Sequence, residues 1–471
     1  MSHEAVLRDI ASKLPVKPSA QKRQIFFALI VVGIAAFAYL FFTNPLRAWG
    51  AWTINTLYFL GIAMGGIALG CAIRLANGRW GGPIMRISES FSAFLPFGIG
   101  AMAILLFAGI WTYLPWVKHV EPRQVPFLNV PFLYIRTLGG LLLFWMLAKK
   151  LVDVSMRRDL NAIKPYVAGE LKADYDKRTA NWKGDQAEAD HYRHEAAHLA
   201  PQLALLFVVV FSVMAWDFIM ALTPNWVSAL FGWFVYAGAF ITAVAMTSLL
   251  AAQLRTRYKL EAYISTNMFW DIGKILFAWC VFWGYLFWSQ YLPIWYANMP
   301  EETWWVFVRF EEPWRTLSFV AFTLIFVIPF LGMLNKTSKT NPALLMTFSL
   351  IAMAGIWLER HVLVMPSLNA EQVWVGLPEV GVTIGFLGLF GWTGPGCWSC
   401  GSTCSRCADR RWVGFPASRA PTAFFNAGPS PVVLAERNLT TAAASTGPVP
   451  AAAARASLNK SGSSNRSTTG H

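Results

Sequence analysis

Charged side chains are scarce in this chain. Asp, Glu, Lys and Arg make up 14% of its 471 residues, against 56% hydrophobic, and that balance excludes an ordinary soluble enzyme. Histidine is scarce as well. There are seven, and only His361 falls in or against a long apolar run. A b-type haem buried in a helical bundle needs axial ligands inside it, so the pair it requires is missing. Six cysteines occur, four of them (Cys397, Cys400, Cys404, Cys407) crowded near the C-terminal end. Their C-x2-C-x3-C-x2-C spacing lacks the long loop that separates the ligand pairs of ordinary zinc sites. They read as accidental, and Cys71 and Cys280 as packing residues. With no nucleotide fingerprint either, the chain is expected to carry no metal and no electron cofactor of its own.

Long apolar runs are what the sequence has instead. A bilayer takes about 20 residues of helix, and ten runs qualify or nearly do: roughly 25–42, 52–73, 91–112, 131–150, 203–222, 227–251, 270–292, 314–334, 342–362 and 378–392. Many of the 23 tryptophans sit near their ends, where indole favours the headgroup region. The fold class is therefore all-α, a polytopic membrane protein of about ten spans. Residues 1–24 form a polar arm without the apolar core of a cleavable signal peptide, so the first span is expected to remain.

The net charge of +14 suggests nucleic acid until its distribution is read. The N-terminal arm and the connections after spans two, four, six and eight hold about 23 Lys and Arg, against about four (Arg47, Lys118, Arg123, Arg309) in the alternate connections. Basic excess marks the cytoplasmic side. Both termini are thus expected inside, with the bilayer and not a nucleic acid as the partner of this charge.

An internal repeat organises the spans. Tyr113-Leu114-Pro115 recurs as Tyr291-Leu292-Pro293, Tyr58 recurs as Tyr236 (236 − 58 = 178), and Arg136-Thr137-Leu138 recurs as Arg315-Thr316-Leu317 one residue later. Both units start at the same face, giving two parallel four-helix repeats, helices 2–5 and 6–9, with helices 1 and 10 outside them. Helix 1 with its following loop covers 25–51 and stands alone. The first unit covers 52–226 and includes a charged, cytoplasmic amphipathic hairpin at 151–200. The second covers 227–362; an outer loop and the start of the tenth helix follow at 363–392. Residues 393–471 change to Gly, Pro, Ser, Ala, Arg and Thr and contain no Ile, Met, Tyr or Gln. That tail reads as disordered or out of frame.

His194-Glu195-Ala196-Ala197-His198, with His191 one turn earlier, matches the zinc-protease pattern H-E-x-x-H. It lies in the charged hairpin without an evident third ligand, and a solvated helix face is the preferred reading. Ionisable groups within the spans are the stronger functional suspects, because burying them is expensive. Towards the outer side these are Arg136, Asp217, Arg315, Glu359, Arg360, His361 and Glu379. Towards the cytoplasmic side they are Glu89, Asp153, Asp271 and Lys274, the last two an expected i,i+3 ion pair. Thr242, Thr247 and Ser248 supply hydroxyls between the sides. Arg136 and Arg315 are the expected partners of Asp217 and Glu359, one pair in each unit.

Asp271-Ile-Gly-Lys274, Phe282-Trp-Gly-Tyr285 and Ser289-Gln-Tyr-Leu-Pro-Ile-Trp-Tyr-Ala-Asn-Met-Pro-Glu-Glu-Thr303 resemble a membrane subunit of bacterial alternative complex III. Supporting stretches are Arg86-Ile-Ser-Glu89, Asn129-Val-Pro-Phe132 with Arg136, Asp217 before Ser228-Ala-Leu-Phe-Gly232, and Glu359-Arg360 with Pro366-Ser367-Leu368. The likeness spans about 25–392, and points to the second, smaller of the two polysulfide-reductase-like subunits. It implies a quinol:electron-acceptor oxidoreductase of the bacterial cytoplasmic membrane. Quinone or menaquinone would be the membrane substrate. Haem and iron–sulfur clusters would belong to partners, namely a multihaem c-type cytochrome and an outer-side iron–sulfur protein, beside a sister quinol-binding membrane subunit. The implied role of this chain is proton conduction, a quinone-binding environment and assembly. The competing readings are a secondary transporter built from parallel repeats and a purely structural anchor.

Overall fold

Asparagine and proline punctuate the apolar runs and set where the helices begin. The computed structural model describes residues 20–393, apart from 121, 123, 167, 168, 225 and 258; most of the N-terminal arm and the four-cysteine tail lie outside the described residues. Asn44 caps the helix that starts at Pro45, its side chain accepting from Arg47 N at 3.1 Å. Asn129 does the same before Pro131, accepting from Phe132 N at 2.9 Å, and Asn341 before Pro342, accepting from Ala343 N at 2.9 Å. An Asn side chain satisfies an orphan N–H, and proline costs nothing in the first turn. At the other end, Asn298 takes the left-handed conformation (φ 49°) that stops the helix before it.

Thirteen helices result among the described residues. They are α1 (Ala20–Thr43), α2 (Pro45–Leu75), α3 (Gly82–Tyr113), α4 (Val130–Ile163), α5 (Glu170–Arg178), α6 (Asp185–Phe218) and α7 (Phe231–Arg257), then α8 (Thr266–Ala297), α9 (Pro300–Phe310), α10 (Arg315–Gly332), α11 (Lys336–Thr340), α12 (Pro342–Leu368) and α13 (Leu377–Thr393). All but α5, α9, α11 and α13 are long and apolar enough to cross a membrane. α13 has 17 residues, the short limit for a span. The chain is an all-α polytopic membrane protein. The 151–200 connection is built by α4 and α6 continuing beyond their apolar parts, with α5 between them. We call that side the hairpin end and the opposite side the far end.

α2 and α7 form the centre. α2 packs against α3, α6, α7 and α12, while α7 packs against α2, α6, α8 and α12. Two glycines allow α2 this close approach. A Cβ at Gly61 would lie 2.9 Å from Ala239 Cβ, and one at Gly65 would lie 2.7 Å from Ala243 Cβ. The two contacts advance together, so α2 and α7 run side by side in the same direction.

Helix 1 does not stand alone, as its isolation outside the repeats led us to expect. α1 packs along α13, with Gly33 and Gly385 meeting backbone to backbone: a Cβ at Gly385 would lie 2.5 Å from Gly33 Cα. Small residues let membrane helices approach closely where no hydrophobic drive exists between them. The sequence reading could not see this, because 352 residues separate the partners (385 − 33).

Two spans depart from regular α geometry within their length. π turns occupy Leu105–Gly109 of α3 and Thr323–Val327 of α10.

Candidate functional site

The ion pair expected in the first unit is present. Arg136 on α4 grips Asp217 at the end of α6 with both arms of its fork, Nε to Oδ2 at 2.8 Å and Nη2 to Oδ1 at 2.5 Å. Asp217 is fully buried, and 9% of the Arg136 side chain is exposed. The guanidinium also donates to Phe127 O at 2.5 Å and lies over the rings of Phe127 and Phe132, at 4.0 and 4.7 Å. The cation is thus engaged at each of its three nitrogens and on its face. A closed bidentate pair of this kind holds two helices together, and removing one partner costs about 3–5 kcal/mol.

The second unit does not repeat it. Arg315 is exposed at the start of α10, and Glu359 pairs instead with its neighbour Arg360, at 2.6 Å. Arg360 then reaches across to α7 and donates to Val235 O at 2.5 Å. Arg315 is the first residue of α10 and is left outside the packed interior, although α10 itself packs against α12. The inward-facing arginine of this region is Arg309, on α9. It donates to Val362 O at 3.0 Å, Leu363 O at 2.8 Å and Ser367 Oγ at 2.8 Å, and lies over the Trp305 ring at 3.5 Å. Pro366 has no N–H to offer the carbonyl four residues earlier, Val362. Arg309 satisfies that carbonyl.

Glu359 and His361 retain unused capacity. One carboxylate oxygen of Glu359 and Nε2 of His361 are buried without a hydrogen-bond partner, as is the Trp283 indole N–H. Trp283 approaches Glu359 from α8. His361 Nδ1 sits 2.9 Å from Trp357 O, and its ring packs on the Trp357 indole at 4.2 Å. Glu379, fully buried, is held by Arg47 at 2.5 and 2.9 Å and accepts from Gly376 N at 2.9 Å. That pair ties the start of α13 to the start of α2.

At the hairpin end the charges form one network across four helices. Glu89 on α3 is paired with both Arg74 of α2 and Arg86 of α3, the latter at 3.0 Å. Arg86 also reaches Asp159 on α4 at 2.6 Å and Ser155 O at 3.0 Å, and Arg74 donates to Ser155 Oγ and to Tyr192 of α6, each at 3.0 Å. Two arginines face two acids here, so the cluster is neutral as a whole. Sequence reasoning found Glu89 and missed Arg74 and Asp159. Only the Arg86-to-Glu89 spacing of three residues signalled it.

The remaining candidates lie apart. Asp153 is exposed on α4 near Lys149 and Arg178, not among the buried groups where it was expected. Asp271 and Lys274 form the expected pair at 2.8 Å. The H-E-x-x-H segment lies on α6 with its two imidazoles 4.6 Å apart, and Glu195 is engaged by Lys150 at 2.8 Å. Among the described residues, no three His, Cys, Asp or Glu side chains converge as metal ligands would.

Between the two ends lies a buried polar interior. Thr242, Thr247 and Ser248 on α7 are fully buried, each donating to a carbonyl of its own helix at 2.7–2.9 Å. Asn55 Oδ1 and Thr56 Oγ1 on α2, Thr137 Oγ1 on α4 and Ser212 Oγ on α6 have no partner. Buried polar atoms of this kind are the usual anchors of internal water. Comparison with protein-family models and with characterised proteins gives no match for this chain.

Proposed function

We propose that this chain is a membrane subunit of a quinol-oxidising electron-transfer complex, of the alternative complex III type, in the bacterial cytoplasmic membrane. Its hairpin end faces the cytoplasm. Its far end meets a multihaem c-type cytochrome and an iron–sulfur protein, beside a sister membrane subunit that binds quinol. Within that assembly it conducts protons and anchors the outer subunits.

One observation carries the proton role. Buried acids lie at both ends of one four-helix unit, Glu89 and Asp159 at the hairpin end and Asp217 at the far end, with partnerless buried hydroxyl and amide groups on α2, α4 and α6. A proton path needs groups that accept and release protons at each face and a polar relay joining them. Glu359, with one oxygen bound by no cation and approached by the Trp283 indole, is the acid best disposed to change protonation. Arg360 holds its other oxygen and keeps the site from carrying net charge.

Support for the parallel-repeat reading comes from the centre of the bundle. Gly61 meets Ala239 and Gly65 meets Ala243, and both pairs are 178 residues apart (239 − 61 and 243 − 65). Equivalent residues touch each other only along an axis that relates two copies. A transporter would place its broken helices at corresponding positions of the two halves. The π turns fall instead in the third and eighth spans, which the repeat does not pair, and their backbone stays helical.

The test uses the assembled complex. Glu359→Gln and Asp217→Asn are each expected to lower quinol turnover, and proton release with it, while subunit composition is unchanged. Full turnover with normal proton release in both variants would contradict the proton role.

A further inference from the structure

Three lysines converge on one indole at the hairpin end. The ammonium groups of Lys274, Lys336 and Lys339 lie 5.4, 5.6 and 5.2 Å from the Trp270 ring centre. Asp271 is the one acid paired here, with Lys274 at 2.8 Å, so the group holds an excess of two positive charges. Lys339 is buried, donates to Met333 O at 2.5 Å and lies 4.8 Å from the Phe277 ring. Burial first, and the Lys274 ammonium second, push Lys339 below the ordinary lysine range.

This arrangement is built into the fold. Gly273 lets α11 rest on α8, since a Cβ there would lie 2.9 Å from Lys339 Cβ. Like charges repel unless something between them carries the opposite sign. Lys336 is exposed and half of the Lys274 side chain is exposed, so an anion can enter from outside.

We propose that this group is a binding site for the phosphate of an anionic phospholipid. The surroundings favour lipid over a free ion. α11 joins two membrane spans, α10 and α12, which puts the lysines at headgroup depth, where basic groups between spans recognise anionic lipid. Leu331 on α10, Leu334 just after it and Leu344 on α12 are large and exposed and offer apolar surface to acyl chains. A zwitterionic choline lipid would bring its own cation into an already positive site.

The test is native mass spectrometry of the full chain in detergent micelles containing phosphatidylglycerol or phosphatidylcholine. Wild type should retain phosphatidylglycerol in preference to phosphatidylcholine. Lys274→Gln with Lys336→Gln should weaken that retention about fivefold for each lysine, or about 25-fold together. Lys274→Arg with Lys336→Arg should keep it, as should Lys118→Gln at the far end. Equal retention of the two lipids, or a double Gln variant indistinguishable from Lys118→Gln, would overturn the proposal. Displacement of bound phosphatidylglycerol by millimolar inorganic phosphate would also overturn it, by identifying a free anion as the ligand.

Discussion

Asp217→Asn is the substitution from which most can be learned. It keeps the shape of the side chain and removes the charge that faces Arg136. Breaking a fully buried pair costs about 3–5 kcal/mol, but two features of the site offset part of that loss. The Asn oxygen still accepts one of the two N–H donors, now without the carboxylate's charge, for about 1 kcal/mol. Arg136 also keeps Phe127 O and the faces of Phe127 and Phe132, contacts worth about 1 kcal/mol for a partly exposed cation. The net destabilisation should be about 1–3 kcal/mol. Arg136→Met should cost as much or more, because it strands a carboxylate that the structure buries completely. Removing both, as Arg136→Met with Asp217→Asn, should cost less than the two single changes added, with a coupling of about 2 kcal/mol. Unfolding of all four proteins in mixed micelles gives the cycle directly. Additive effects within about 0.5 kcal/mol would refute the claim that this pair joins α4 to α6.

Other substitutions test other parts of the structure. Arg309→Met should destabilise the protein by about 3 kcal/mol, since it strands the carbonyl that Pro366 leaves free; Arg309→Lys should not restore it, because one ammonium cannot span Val362 O, Leu363 O and Ser367 Oγ. Gly385→Leu should separate α1 from α13, read as new protease cleavage between them in detergent, whereas the same change at Gly139, which has open space around its Cα, should leave the digestion pattern intact. Cysteines placed at Lys177 and Glu302 report sidedness: an impermeant thiol reagent on intact cells should label only the second, and the reverse pattern would invert the orientation.

Depth was legible in the sequence and azimuth was not. A hydropathy run fixes which residues lie at one level of a bilayer, and that sufficed to pair Arg136 with Asp217, because each closes the far end of its helix. The same reasoning failed for Arg315 and Glu359. Facing a partner depends on rotation about the helix axis, and Arg315 is the first residue of α10, before any periodic stripe can set it. Arg309 and Arg47 were counted as loop charges, since nothing local to them shows that each folds back onto a helix end. Of the network of Arg74, Arg86, Glu89 and Asp159, only the Arg86-to-Glu89 spacing was visible, for a related reason. Its members come from three helix ends whose meeting is a tertiary fact.

Purification of the chain from its native membrane in mild detergent tests the central claim most directly. Subunit identification and haem and iron determination on the single eluted species should reveal a multihaem c-type cytochrome and an iron–sulfur protein, both stoichiometric with this chain. A chain that elutes by itself, or with partners that hold neither haem nor iron–sulfur clusters, would contradict the account.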